Sequence, residues 1–240
     1  MPAHDELPSR LAGVQHVVYL LFNEGHVATT GDALVRGGLC DEAVRLARLL
    51  AMLMPEDAET GGLLALLLLT DARREARIDD EGHPVSLEDQ DRTRWDRAAI
   101  AEGLAVLHGT LRLGRPGPYQ VQAAIAAVHA GAPSFAETDW AQIAELYGVL
   151  QELDPSPIVL INRAVAVGHA DGPDGGLALL DLVAGDDRLD RYQPLHAARA
   201  HLLRRAGDAA GARAAYRRAI ALTANAAERD ALERRAAALT

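Results

Sequence analysis

Three segments of the chain carry one helix pattern, and this repetition most limits what the chain can fold into. Each segment places small residues around a larger side chain, and two of the three close on a proline. Small residues let paired helices approach, the larger residue fills the groove, and proline stops the helix. The segments are CDEAVRLARLLAMLMP (40–55), WAQIAELYGVLQELDP (140–155) and RRAGDAAGARAAYRRAIALTAN (204–225).

This arrangement is typical of the second helix of a tetratricopeptide (TPR) repeat. Together with capping and breaker residues, it predicts an all-α fold, an α-solenoid of stacked TPR-like helix hairpins with about eleven helices. We expect a single domain over residues 1–240. Its predicted helix pairs cover roughly 8–54, 58–113, 119–153, 157–184 and 190–222, with a capping helix at 225–239.

One short insertion interrupts the helical pattern near residues 77–85. Its Asp-Glu-Gly sequence is a turn signal, which predicts a small hairpin. The fourth helix is expected to follow at once, with Ser86 as N-cap and Asp89 three residues later, close to a capping box.

The composition excludes several classes of function. All 24 basic residues are arginine, and without lysine there is neither a Walker A loop nor Schiff-base or pyridoxal catalysis. No HExxH, GxSxG or close metal-ligand spacing occurs. We therefore predict no catalytic residues, no metal and no cofactor, and a protein that is not an enzyme.

Charge and the single cysteine point to a cytoplasmic setting. A net charge of −10 repels phosphate backbones, so we expect no direct contact with nucleic acid. Cys40 cannot form an internal disulfide, which favours a reducing cytoplasm. The apolar run LLALLLL (63–69) is too short to span a membrane, so no membrane partner is expected.

The segment SLEDQDRTRWDRAAI (86–100) sets four acids and three arginines around a tryptophan. It is interpreted first as a capped, charge-rich helix start, because acids favour the first turn of a helix. A recognition surface is the second interpretation, since arginine and tryptophan are common at interface hot spots. Catalytic carboxylates are the third, and nothing in the segment indicates a paired base.

Motifs along the whole chain resemble the C-terminal TPR-like extensions of extracytoplasmic-function (ECF) RNA polymerase sigma factors. The most specific are FNEG (22–25), DARR (71–74), QDRTRWD (90–96) and GPYQ (117–120). His26 follows FNEG where the family usually has tyrosine. The sigma regions that bind promoter DNA and polymerase would precede such an extension and are absent from this chain, which we interpret as a fragment.

The resemblance implies a regulatory domain that acts through contacts with its own sigma core or with RNA polymerase. The family motifs supply the candidate interaction residues, namely Asn23, Glu24, Asp71, Arg73, Arg74, Gln90, Asp91, Arg94, Trp95, Tyr119, Gln120, Asn162 and Arg163. Each has a structural alternative, and DARR with QDRTRWD could instead form one internal ion-pair lock.

Two further functions stay open at this level. The domain could sense a small molecule in a pocket lined by Trp95, Trp140 and Tyr119, and so switch the sigma factor. An enzyme is the weakest alternative. Self-association into a homodimer is possible, because exposed solenoid ends can pair.

Overall fold

The computed structural model describes residues 7–239, and the elements within that range are helical. Eleven α-helices and two short 3₁₀ helices, at Arg74–Ala76 and Arg92–Arg94, confirm the prediction of an all-α chain built from helix hairpins. The α-helices are α1 Leu7–His26, α2 Gly37–Leu53, α3 Ala58–Asp71, α4 Arg97–Leu111, α5 Pro118–Gly131, α6 Trp140–Leu153, α7 Pro157–Ala170, α8 Pro173–Asp181, α9 Gln193–Arg205, α10 Ala209–Leu222 and α11 Ala226–Ala237.

Side-chain caps explain where several helices begin. The first backbone N–H groups of a helix have no partner within it, and a short polar side chain can accept from them. Asp57 accepts from the Thr60 N–H at the start of α3, and Asn225 accepts from the Glu228 N–H at the start of α11. Helix α11 therefore begins where the sequence predicts the last helix, at 225.

The chain divides into two compact units. The first contains the residues up to Thr29 together with Leu34–Arg77 and Gln90–Ala130. The second contains Thr30–Ala33, Ile78–Asp89 and the residues from Gly131 onward. The interpretation of residues 1–240 as one domain stays a prediction, and α5 and α6, expected as a pair, belong to different units.

In the first unit, α1 packs on α2, α2 on α3, and α3 on α4. The core is mostly aliphatic, with Leu63 and Leu67 fully buried, and it also contains the buried ring of Phe22. Helix α5 joins through a second cluster that contains Leu66, Leu107 and Ala123. Glycines permit these close approaches: a Cβ on Gly62 would lie 2.7 Å from the Gln120 backbone nitrogen.

In the second unit, each helix from α6 to α11 packs on the next. One core cluster includes Ile161, Leu180 and Leu202, and another surrounds Tyr216. The helix pair α9–α10 carries the small–aromatic–small pattern that the sequence showed, with Tyr216 buried in its groove. No helix among the described residues has both the length and the apolar character that a bilayer crossing requires.

The insertion near 77–85 forms the predicted hairpin. Ile78 and Pro84 make an isolated antiparallel bridge, and Gly82 turns the chain with a φ of 86°. Such a positive φ is readily adopted only by glycine.

The predicted start of the fourth helix at Ser86 is wrong. The Ser86 hydroxyl donates to the Asp89 side chain at 2.5 Å and closes one turn, so no helix continues from it. Helix α4 begins eleven positions later, where Asp96 accepts from the Ala98 and Ala99 N–H groups. A 3₁₀ turn at Arg92–Arg94 lies between the two points, and its Arg92 side chain makes a long-range hydrogen bond to His129.

Candidate functional site: an arginine–tryptophan cluster and an apolar surface

The DARR and QDRTRWD motifs meet in the first unit. Trp95 is only 2% exposed, and the Arg92 guanidinium carbon lies 4.5 Å from the centre of its ring. The Arg73 guanidinium carbon lies 5.9 Å from the same centre. We call Arg73, Arg92 and Trp95 the arginine–tryptophan cluster. Cations over an indole face are attracted by its quadrupole, so the cluster joins the two motifs.

Backbone hydrogen bonds reinforce the same junction. The Asp96 N–H donates to the Ala72 carbonyl at 2.8 Å, which ties the start of α4 to the end of α3. Arg92 is 8% exposed and also donates to the His129 carbonyl at the end of α5, at 2.7 Å. A buried guanidinium needs such partners, since an unsatisfied buried charge is costly. The junction is therefore an internal structural element held by cation–π contacts and hydrogen bonds.

Sequence reasoning selected Arg94 and missed Arg92. In a regular helix that starts at Ser86, no feature of the sequence distinguishes the surroundings of Arg92 from those of Arg94. In the observed 3₁₀ turn, residues three apart share a face, so Arg92 lies beside Trp95 while Arg94 is exposed. Gln90 is partly buried, and Asp91 caps the turn by accepting from the Thr93 N–H at 2.9 Å.

Asp71 and Arg74 form an ion pair that extends to helix α2. Arg74 donates to both carboxylate oxygens of Asp71, at 2.8 and 2.5 Å, and to Asp41 at 2.8 Å. The two carboxylates come from different helices, so the guanidinium joins the end of α3 to the start of α2. The predicted ion-pair lock between DARR and QDRTRWD is not what these residues form: Arg74 pairs within DARR and with α2, and the two motifs meet through the arginine–tryptophan cluster.

The FNEG motif ends α1 beside the same arginines. Gly25 is required there, because a Cβ would lie 2.8 Å from both the backbone nitrogen and the sulfur of Cys40. Arg77 donates to the His26 carbonyl. Burial, followed by the charges of Arg77, Arg73 and Arg74, lowers the pKa of His26 to about 2. His26 is therefore neutral, stacked on Phe22 at 5.3 Å between ring centres.

Cys40 has the properties of a structural residue. It is fully buried, and burial raises the pKa of its thiol to about 11, with the Asp71 carboxylate acting in the same direction. Since the thiolate is the reactive form, this thiol is a poor nucleophile.

Asn23 and Glu24 differ in their surroundings. Asn23 is exposed, whereas Glu24 accepts from the Thr29 hydroxyl at 2.5 Å and pairs with Arg36 at 3.0 Å. Glu24 therefore organises the loop after α1. Asn23 keeps an accessible side chain.

The GPYQ motif is held by a carboxylate from α3. Glu59 accepts from the backbone N–H groups of Tyr119 and Gln120, at 2.9 and 3.1 Å. Gln120 is buried and donates to the Arg115 carbonyl at 2.7 Å. The motif thus lets an acid of one helix cap the start of another, α5.

Asn162 and Arg163 lie on α7 in the second unit. Arg163 donates to the Gln151 side chain of α6 at 2.9 Å, which links neighbouring helices as the structural alternative predicted. Asn162 is exposed. Trp140 belongs to the second unit, whereas Trp95 and Tyr119 belong to the first, and the pocket expected from all three stays a prediction.

Sequence reasoning also missed a histidine pair in the second unit. His169 of α7 and His201 of α9 bring their Nε2 atoms to 3.1 Å, and Arg205 lies 2.8 Å from His169 Nδ1. The Trp140 ring stacks on His169 with 4.1 Å between ring centres. The two histidines stand 32 positions apart, and only the packing of α7 on α9 brings them together.

Arginine can only donate, which fixes the protons of this pair. His169 Nδ1 must accept from Arg205, so its Nε2 carries the hydrogen and donates to His201 Nε2. Burial, followed by nearby positive charges that include Arg204 and Arg205, lowers the pKa of each histidine to about 4, and His169 contributes to the lowering at His201. Both rings are neutral near pH 7.

The exposed residues of the first unit include an apolar group on its first two helices. Helix α1 exposes Val14, Val17 and Leu20, and α2 exposes Leu49, Met52 and Leu53. We call these six residues the α1–α2 apolar surface. Val17 is 64% exposed and Met52 71%, which costs hydration free energy unless another surface covers them.

Comparison with known proteins gives relatives without an assigned activity. A model of a family of unknown function (DUF6596) matches residues 10–111. An uncharacterised protein of Rhizobium meliloti (strain 1021) is 50% identical over 219 residues, which cover 91% of this chain and 51% of that protein. The chain thus spans about half the length of this curated relative. No solved structure gives a significant match.

Proposed function

We propose that this chain is a regulatory interaction domain of an ECF sigma factor and that it binds the sigma core of the same factor. The α1–α2 apolar surface carries the proposal, because exposed apolar residues on adjacent helices suit a protein partner. The motif resemblance suggests which partner. The relative, about twice as long, supports a parent protein with room for a further module.

Most of the motif residues support the interaction surface from within. The arginine–tryptophan cluster, the Glu59 cap and the Arg74 ion pairs hold helices α2 to α5 in place. Of the candidate interaction residues, four have exposed side chains, namely Asn23, Asp91, Arg94 and Asn162. In this proposal, Asn23 and Arg94 of the first unit supply polar contacts around an apolar centre, as in many transient interfaces.

The test is calorimetric titration of the chain into the separately expressed sigma core, with Val17→Glu as the interface variant. A charge placed on an apolar side chain that the partner covers should weaken binding by about tenfold or more. Leu182→Glu is the matched control, since Leu182 is 73% exposed but lies just after α8 in the second unit. It adds the same charge and should bind like the original chain.

Each outcome bears on one part of the proposal. Equal loss in V17E and L182E would point to net charge instead of the apolar surface. Binding to RNA polymerase but not to the sigma core would identify the polymerase as the partner instead. Binding to neither would remove the proposal.

A further inference from the structure

A surface cavity in the second unit lies between the hairpin insertion and the last helix. Its volume is about 380 Å³, within the range of small-ligand sites. The hairpin contributes residues 79 and 83–86 with Asp89, and α11 contributes Ala231, Arg234 and Arg235. On a helix, positions 231, 234 and 235 share one face, so both arginines line the same wall.

The acids of the hairpin wall are already engaged within the hairpin. Asp79 accepts from the His83 N–H at 2.7 Å, and its other oxygen lies 3.2 Å from His83 Nδ1. Asp89 accepts from the Ser86 hydroxyl at 2.5 Å. These contacts keep the carboxylates turned toward their own loop.

The arginine wall has hydrogen-bonding capacity left over. Among the described residues, no carboxylate forms an ion pair with Arg234 or Arg235, and both side chains are exposed. Three of the ten other arginines of this unit each bind an aspartate at 2.6 to 2.7 Å, namely Arg188, Arg199 and Arg218. Two adjacent guanidinium groups facing a cavity offer a fork of donors that matches an oxyanion.

We propose that this cavity binds a small metabolite through an oxyanion group, a carboxylate or a phosphate held by Arg234 and Arg235. The apolar side chains of Pro84, Val85 and Ala231 pack on the body of the ligand. His83 Nε2, on the opposite wall, supplies a polar contact at its far end.

The inference goes beyond the proposed protein partner and does not depend on it. It also assigns a ligand site to residues that the sequence did not single out. The competing explanation of Arg234 and Arg235 is electrostatic, because cations stabilise the last turn of a helix.

The experiment is calorimetry of the full chain with inorganic phosphate in one series and malonate in another, at constant ionic strength in chloride. The test variant is R234Q/R235Q. The control is R204Q/R217Q, which removes two exposed arginines of the same unit that do not line the cavity. We expect one-to-one binding that weakens about tenfold or more in the test variant and changes by less than about twofold in the control.

The two series separate the sources of the oxyanion. Binding of phosphate alone assigns a phosphate ligand, binding of malonate alone assigns a carboxylate, and binding of both supports the shared chemistry. Equal weakening in both double variants would overturn the site in favour of general charge attraction. Absence of binding by the unaltered chain in both series would overturn it outright. The single variants R234Q and R235Q serve if the double variant does not fold.

Discussion

Arg92 and Arg94 stand two positions apart in one motif and have opposite surroundings. Arg92 is buried, stacks on Trp95 and donates to the end of α5, whereas Arg94 is exposed. The difference arises from the 3₁₀ turn, which sets residues 92 and 95 on one face. At the scale of single residues, a motif whose sequence suggests one charged surface therefore contains a buried arginine with a structural role and an exposed arginine.

Replacing Arg92 by alanine should destabilise the protein. The loss of a desolvated cation–π contact and of a charged hydrogen bond should cost about 2 to 4 kcal/mol of unfolding free energy. Arg73→Ala should cost less, because its guanidinium lies farther from the ring. Urea unfolding measures both, with Arg94→Ala as the control, expected within about 0.5 kcal/mol of the original. Equal effects for R92A and R94A would contradict the buried role.

Stability should fall in mild acid because of His169 and His201. Their folded pKa of about 4 lies below the ordinary value of 6.5, so the unfolded chain binds protons first as the pH drops. Their contribution is complete above pH 6.5 and is lost as the pH falls towards 4. Discounted for partial exposure, the pair should account for about 2 kcal/mol of unfolding free energy between pH 7.5 and 5.

The measurement is urea unfolding at several pH values for the original chain and for H169Q/H201Q. The double variant should show a shallower pH dependence, whereas H108Q, which removes an exposed histidine, should leave it unchanged. Trp140 gives a second signal, because protonation of the stacked His169 ring should quench its fluorescence. A pH dependence that survives in H169Q/H201Q would place the effect elsewhere.

At the scale of elements, an acid of one helix caps the start of another. Glu59 lies in the first turn of α3 and accepts from two N–H groups at the start of α5. The start of α5 thus depends on a residue sixty positions earlier in the chain. Glu59 thus supplies the cap for the GPYQ motif, where Gln120 is buried and Tyr119 partly buried.

Changing Glu59 to alanine should loosen α5. Two charge-assisted hydrogen bonds disappear and leave partly buried N–H groups unpaired, at a cost of about 2 kcal/mol of unfolding free energy. Amide hydrogen exchange should show faster exchange at Tyr119 and Gln120. Glu56→Ala is the control, since Glu56 is an exposed acid just before α3. Unaltered protection at residues 119–120 in E59A would show that the cap is dispensable.

Local signals predicted the elements well and their long-range partners poorly. Caps such as Asn225 and breakers such as Pro55 act within a few residues, so the sequence pattern located the helices they bound. The start at Ser86 was misplaced because its side chain bonds Asp89 directly, a choice that the spacing alone cannot distinguish from a capping box. The contacts of Arg92 with His129 and of His169 with His201 depend on helix packing, which no local pattern encodes.

At the scale of the whole molecule, charge should govern how the chain meets a partner. With a net charge of −10, it should attract a basic surface and lose affinity as salt screens that attraction. We expect sigma core binding to weaken by roughly threefold to tenfold between 50 and 300 mM salt. The binding free energy that does not depend on salt should come from the α1–α2 apolar surface, and V17E should remove it. Calorimetry at both salt concentrations checks this, and binding that strengthens with salt would contradict an acidic-to-basic contact.

The bridge between Gly31 and Asn225 has a consequence for how the second unit forms. Asn225 also donates to the Ala33 carbonyl, across 192 positions of the chain. Closing so large a loop costs conformational entropy before the contacts at its ends stabilise the fold. Such contacts therefore form late in folding. During synthesis, Ala33 is made 192 residues before Asn225, and their hydrogen bond can form only when both are present. The loop between α1 and α2 therefore takes its final place in the second unit only after α10 has been made.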